Sequence, residues 1–261
     1  MPPSLPFERR AFRAGAIEPG RRELAEEVAV ALVYNGVAHA VLMTTPADLE
    51  DLAVGFTLTE GIASPAEIEE VEIAWRADGV EARLLIPPAP SERLASRRRA
   101  LVGPTGCGLC GVESLAAAVP PPPRVPWGGR FSPDEVAAAM ATLRDAPLGR
   151  ATRAVHGAGL WRRGEGAVAV REDVGRHNAL DKLAGALARM REPVRDGIVA
   201  LTSRVSVEMV QKAARIGAPV LAAISAPTAL AIRVAEAAGI TLVAVARDDG
   251  FELFTGADRI G

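Results

Sequence analysis

The sequence predicts an α/β protein with a smaller β-rich N-terminal part, and three observations predict it. From about Ala151 onward, short apolar runs alternate with helix-length segments, the pattern of a sheet covered by helices with a largely parallel portion. Before that point, pairs of β-prone runs flank Asn35-Gly36 and Asp78-Gly79, which read as turns between antiparallel strands. Apolar residues make up 49% of the chain but aromatic residues only 4%. The core must therefore be built from Ala, Val, Leu and Ile. At 261 residues the chain can bury a substantial core in one large domain or two smaller ones.

Taken in order, the stretch to about Phe12 is rich in Pro and Arg and is expected to be weakly ordered. Val28–Tyr34 and Val37–Met43 form a hairpin about Asn35-Gly36. Thr45 suits a helix N-cap, Pro46 the first helical position, and Asp48, Glu50 and Asp51 the positive helix end, with Gly61 as the stop. Val71–Trp75 and Val80–Ile86 make a second strand pair. Arg97-Arg98-Arg99 is a basic cluster ahead of a glycine-rich loop that holds Cys107 and Cys110. Val112–Ala118 is expected to be a short helix, and Pro120–Pro123 a stiff linker. Ser132-Pro133-Asp134-Glu135 opens a helix with a capping box. Strands follow at Ala154–Leu160, Ala167–Arg171, Gly197–Leu201, Val220–Ile224 and Thr241–Ala246. Helices follow at His177–Arg189, Val207–Arg215 and Ala229–Ala238. The division predicted is residues 1–119, an N-terminal α+β domain ending in the cysteine loop; 120–130, a Pro-rich linker; and 131–261, an α/β domain.

The formal charge of −2 argues against a duplex nucleic-acid binder, which carries a basic surface. No apolar run is long enough to span a bilayer, and the N-terminus has no charged region followed by an apolar stretch. A cytoplasmic protein is expected, in which thiols stay reduced.

If the C-terminal strands are parallel, their carboxyl ends coincide with Thr202-Ser203-Arg204, Ser225-Ala226-Pro227-Thr228 and Arg247-Asp248-Asp249-Gly250. Helix N-termini at such an edge attract anions, so Ser203, Arg204, Ser206 and Thr228 are candidates for a phosphate-bearing ligand. Ser206 and Thr228 are equally well explained as ordinary N-caps. Glu172–Lys182 is the densest polar cluster. It either binds a ligand or forms a capped helix with pairs such as Asp173 with His177 and Asn178 with Lys182.

Cys107 and Cys110 are the only cysteines. Four chemistries compete for them. A structural zinc site needs about four ligands, and His156 and His177 lack finger-type spacing. A deaminase-type zinc site needs His-x-Glu before the cysteines, and the sequence has none. A thioredoxin-like dithiol sits between a strand and a helix, whereas these flanks are rich in Gly and Pro. Sulfur carriage fits a thiolate near a helix N-terminus and nearby Arg residues, with Gly106, Gly108 and Gly111 leaving the loop open to successive partners.

Gly103–Gly111 resembles the Cys-Gly-x-Cys loop of the formate dehydrogenase accessory sulfurtransferases, the FdhD family. Asp48–Phe56, Glu172–Lys182, Ser203–Ser206 with Glu208-Met209-Val210, and Ala226-Pro227-Thr228 resemble further blocks of that family, in the same order. The resemblance implies a cytidine-deaminase-like α/β sandwich core without the zinc site, and a homodimer. It implies a sulfurtransferase that takes persulfide sulfur from a cysteine desulfurase. The sulfur passes to the bis(molybdopterin guanine dinucleotide) cofactor of molybdenum, a bound substrate needed by formate dehydrogenase. It assigns the persulfide to Cys107 and the second loop position to Cys110. It makes residues 131–261 the cofactor-binding domain and places binding at Ala246, Arg247, Asp248, Asp249, Gly250 and Phe251, which joins Ser203, Arg204 and Thr228 from the sheet-edge argument and His177 from the polar cluster. No resident metal is implied. A cofactor-binding chaperone that moves no sulfur is the rival reading; it would need the C-terminal site but not the thiols.

Overall fold

The computed structural model describes residues 1–92, 94 and 120–261. Its centre is a six-stranded sheet of order β12-β11-β10-β9-β7-β8, made from β7 (His156–Arg162), β8 (Gly166–Asp173), β9 (Gly197–Leu201), β10 (Val220–Ala223), β11 (Thr241–Arg247) and β12 (Gly250–Leu253). β9, β10 and β11 run parallel. β7 is antiparallel to both β8 and β9, and β12 is antiparallel to β11. The parallel portion is thus three strands wide, and β12 is a strand the sequence did not announce.

Alternation along the central strands sorts their side chains into two cores. Val199, Leu201, Leu221 and Leu242 face α4 (Arg176–Met190), α5 (Val207–Arg215) and α6 (Ala229–Ala238), meeting Leu180, Leu183, Met209 and Val234. Ile198, Ala200, Val220, Ala222 and Val243 face the opposite way, onto Val136, Ala139 and Met140 of α2 (Pro133–Ala141). The capping box holds as expected: Ser132 Oγ accepts from the Glu135 amide, and Glu135 accepts from the Ser132 amide. The short α3 (Pro147–Thr152) was not anticipated. Its first amides, from Leu148 and Gly149, donate to the Glu172 carboxylate.

The N-terminal part holds a four-stranded sheet of order β4-β3-β6-β5, from β3 (Val28–Tyr34), β4 (Val37–Thr44), β5 (Glu70–Arg76) and β6 (Gly79–Leu85). Asn35 and Gly36 both take positive φ, as a type I′ turn demands. Val30, Leu32, Tyr34, Ala82 and Leu84 pack onto Leu49, Leu52 and Ala53 of α1 (Leu49–Thr59). The Tyr34 hydroxyl hydrogen-bonds Thr57 Oγ1 at 2.8 Å, and burial pushes its pKa up.

The opposite side of α1 lies directly on α4. A Cβ at Gly55 would fall 1.7 Å from the Asp181 carbonyl oxygen, and one at Gly185 would fall 1.9 Å from that of Asp51. The two glycines let the helices touch backbone to backbone, which joins the β-rich N-terminal part to the α/β sandwich.

Three expectations are corrected. The first residues are not weakly ordered: β1 (Ser4–Arg13) and β2 (Ala16–Ala25) form a ten-residue antiparallel ribbon turning at Ala14-Gly15. Thr45 and Pro46 precede α1 instead of opening it. The N-cap is Asp48, in the left-handed conformation, because Thr45 is engaged elsewhere: its amide donates to Asp173 and its hydroxyl accepts from the Val174 amide. The i,i+4 pairs of the polar cluster also do not form. Asp173 instead pairs with Lys182 at 2.6 Å and accepts from Asn178 at 3.0 Å.

Among the described residues no helix is long and apolar enough to cross a membrane.

Candidate functional site

Strand directions alone bring the predicted residues together. β8 is antiparallel to β7, which is antiparallel to β9, so β8 runs the same way as β9, β10 and β11. Four carboxyl ends therefore share one edge: β8 into α4, β9 into α5, β10 into α6, and β11 into β12. Ligands of open α/β sheets bind at such an edge, and N-termini of three helices face it. The junctions also bond to each other. Thr228 donates to Val205 O at 3.0 Å, Val205 to Ala226 O at 3.4 Å, Ile224 to Leu201 O at 3.0 Å, and Val245 to Ser225 O at 3.4 Å.

Ser203 is buried, and its hydroxyl donates to Arg204 O. Arg204 is exposed. Thr228 caps α6 by accepting from the Ala231 amide at 3.2 Å, so its capping role is realised, with the residue still exposed at the edge. Ser206 is the N-cap of α5 but accepts no helix amide with its side chain. Burial alone would raise the Glu208 carboxyl; Ser206, the Glu208 amide, His177 and Arg176 together hold it below the ordinary range.

The C-terminal stretch is a bulged hairpin. Val245 has φ 52, an unusual conformation for a β-branched residue. The register breaks there before Arg247 pairs with Gly250. Ala246 is buried; Arg247, Asp248, Asp249 and Gly250 are exposed. Phe251 packs against the core beneath α2. Asp248 is paired with Arg144, so one of the two acids at this edge is already neutralised. Among the described residues neither Arg204 nor Arg247 is in an ion pair, which leaves two guanidinium groups for an anion.

Burial, then Arg176 and Lys212, lower the pKa of His177; burial and then Arg176 lower that of His156. Both imidazoles are thus neutral near pH 7. Buried Nε atoms of Arg176 and His177 (Nε and Nε2) have no hydrogen-bond partner among the described residues. The sequence reading did not assign His156 to the site. It reaches this edge because β7 places it opposite Asp173, a pairing with no local sequence signal.

A family model described as the FdhD/NarQ family matches residues 25–261. The chain belongs to this family. Curated relatives include the sulfur carrier protein FdhD of Agrobacterium fabrum, 53% identical over 255 residues, covering 97% of this chain and 94% of the relative. The protein of the same name from Cupriavidus necator is 50% identical over 252 residues, covering 95% and 87%. Among solved structures, that of a candidate formate dehydrogenase accessory protein from Desulfotalea psychrophila aligns with a TM-score of 0.75 and 26% identity over the whole of both chains.

Within the family fold, the polar blocks divide into two kinds. Asp173, buried, accepts from the Thr44 hydroxyl, the Thr45 and Gly175 amides and Asn178. Lys182, equally buried, donates to Thr45 O. Asp181 accepts from Thr59 and Lys212, and Lys212 also reaches Glu60. Burial works against the Lys212 ammonium, but Asp181 and Glu60 more than offset it and raise its pKa. These groups hold the β4–α1 corner and the end of α1 against α4. Arg176 and His177 make none of those bonds and are the part of the cluster left for a ligand.

Cys107 and Cys110, the basic run Arg97–Arg99 and the helix expected at Val112–Ala118 lie outside the described residues. The chain on either side is anchored. Leu94 is buried in the N-terminal core, and Pro120 O accepts from Gln211 of α5 at 3.1 Å. Gln211 is five residues beyond the N-cap Ser206, about 7.5 Å along the helix from the sheet edge. Among the described residues no group of three His, Cys, Asp or Glu side chains could hold a metal ion.

Proposed function

We propose that this protein carries sulfur in the cytoplasm as a persulfide on Cys107. The donor is a cysteine desulfurase. The acceptor is the bis(molybdopterin guanine dinucleotide) cofactor, bound as substrate before its insertion into formate dehydrogenase. The observation that carries the reading is identity over nearly the whole chain to proteins named sulfur carrier protein FdhD. The Cys107-Gly-Leu-Cys110 loop supplies the chemistry such a role requires.

The steps balance without an outside oxidant. The Cys107 thiolate attacks the sulfane sulfur of the donor persulfide; the donor S–S bond breaks and the donor cysteine leaves as thiolate. Cys110 then attacks Sγ of Cys107. This forms a Cys107–Cys110 disulfide and releases hydrosulfide to the acceptor, the two thiols supplying both electrons. An external dithiol resets the pair.

The sheet edge suits the phosphate-rich ends of the acceptor. Helix N-termini and the Arg204 and Arg247 side chains favour anions, and Thr228 and Ser203 line the same junctions. The neutral imidazole of His177 can donate to or accept from a guanine or a phosphate. Asp249 offers an acceptor for ring N–H groups, while Asp248 is quieted by Arg144. Pro120, ten residues after Cys110 in the sequence, is anchored on α5 by Gln211. A second copy completing a homodimer belongs to the same proposal.

The test is replacement of Cys107 by Ser in cells whose formate dehydrogenase depends on this protein. Activity is expected to be lost while circular dichroism and expression are unchanged. Full activity in the variant would overturn the proposal and favour a chaperone that moves no sulfur.

A further inference from the structure

A cavity lies away from the sheet edge, and nothing in the proposed sulfur chemistry uses it. It encloses about 510 Å³ between the end of α1, the loop through Ser64, the second half of α4 and the end of α5. That volume falls within the roughly 300–1,000 Å³ of small-molecule sites. Ala184, on its wall, is eight residues beyond Arg176, about 12 Å down α4 from the sheet edge.

Its floor is apolar: Ile62, Leu187 and Val194 are nearly fully buried beneath it, with Leu58 and Ile216 at the sides. Three charged residues line it, and two are already engaged. Glu67 accepts from the Ser64 amide and hydroxyl in a capping box, and Glu192 pairs with Arg162 at 3.1 Å. The third, Arg215, has no ion pair or hydrogen bond among the described residues. Its guanidinium is nonetheless seated. A Cβ at Gly61 would lie 2.4 Å from Arg215 Nη1, and Gly61 has φ +64. One glycine thus turns the chain out of α1 and gives the guanidinium a flat backbone to rest on. Lys212, one turn earlier on the same helix, is fixed to Glu60 and Asp181, which holds the helix that presents Arg215.

We infer that this cavity binds a small amphipathic anion, its apolar body against Ile62, Leu187 and Val194 and its carboxylate or other anionic head on Arg215. Charge complementarity carries the choice: the acids at the rim are satisfied within the protein, and the cation is not. A neutral ligand would leave Arg215 unused, and a cationic one would meet its repulsion.

Decanoate, titrated by calorimetry into the full-length protein below its micellar concentration, tests this. Saturable one-site binding is expected, tighter than for decanol or decyltrimethylammonium. Arg215→Gln, a substitution at an exposed position, is expected to weaken it at least about tenfold, the loss of one charge-assisted contact. Ala188→Trp, which fills the cavity, is expected to abolish it. Since Arg215→Gln leaves the core untouched, it decides the matter even if the Trp variant folds poorly. Absence of saturable binding, equal affinity in Arg215→Gln, or preference for the cationic amphiphile would overturn the inference. Sulfur loading of Cys107 is read separately by mass, so failure here is distinguishable from failure of the proposed function.

Discussion

Gly55→Ala puts a methyl group where α1 and α4 touch. The added carbon would sit 1.7 Å from the Asp181 carbonyl oxygen, 2.6 Å from its carbon and 2.7 Å from the Gly185 nitrogen. All three are backbone atoms, so no side chain can swing aside and the helices must part by more than an ångström. Parting them strains the bonds that cross the same seam, Thr59 to Asp181 at 2.6 Å and Lys182 to Thr45 O at 2.9 Å. Overpacking a core costs about 1–3 kcal/mol, and loosening hydrogen bonds to buried charges adds about 1.5–3 kcal/mol. Against this, Ala gains about 0.5–1 kcal/mol over Gly within a helix. The net loss is about 1.5–5.5 kcal/mol, which for a chain of this size lowers Tm by roughly 3–22 °C. Urea unfolding followed by circular dichroism measures it. A variant within about 0.5 kcal/mol of the parent, the range of an ordinary surface substitution, or more stable than it, would refute the reasoning.

Asp173→Ala strands the buried Lys182 ammonium and is expected to cost about 3–5 kcal/mol; Asp173→Ala with Lys182→Met should cost less than the single change in the same urea assay. Arg163, then the Ser132 amide, hold the Glu135 carboxyl at about 2. Its folded pKa is below its unfolded one, so its stabilisation is full above about pH 5 and is lost as pH falls toward 2. Glu135→Gln should therefore lose less stability than the parent between pH 7 and pH 3. Arg176 lowers both His156 and His177, so Arg176→Gln should raise both imidazole titration midpoints by NMR, and unchanged midpoints would contradict the electrostatics of the edge.

Where short-range chemistry decides structure, the sequence was legible. Asn35-Gly36 requires two positive φ values and has them; Ser132 and Glu135 cap each other as their spacing demands. The alternating pattern after Ala151 located β9, β10, β11 and three long helices because each is one buried face repeated. Long-range partners were not legible. Thr45 has the composition of an N-cap, but its acceptor Asp173 is 128 residues away. β12 is only four residues long, and it pairs with β11 across the Asp248-Asp249 turn and a register break between Ala244 and Arg247. The N-terminal ribbon was hidden by its prolines, which an edge tolerates.

The candidate site divides along the same line. Ser203, Arg204, Thr228 and Arg247–Gly250 could be grouped once parallel strands were assumed, because a strand's carboxyl end follows from its direction. His156 could not, since its place depends on the β7–β8 register. In the polar cluster, composition alone did not separate Asp173, Asn178 and Lys182, which bond inward, from Arg176 and His177, which do not.

The central claim is that Cys107 holds transferable sulfur. Its most direct test is the intact mass of the purified protein after incubation with a cysteine desulfurase and cysteine. The account predicts a gain of one sulfur atom, removed by a reducing dithiol and absent in Cys107→Ser. An unchanged mass, or the same gain in Cys107→Ser, would contradict it.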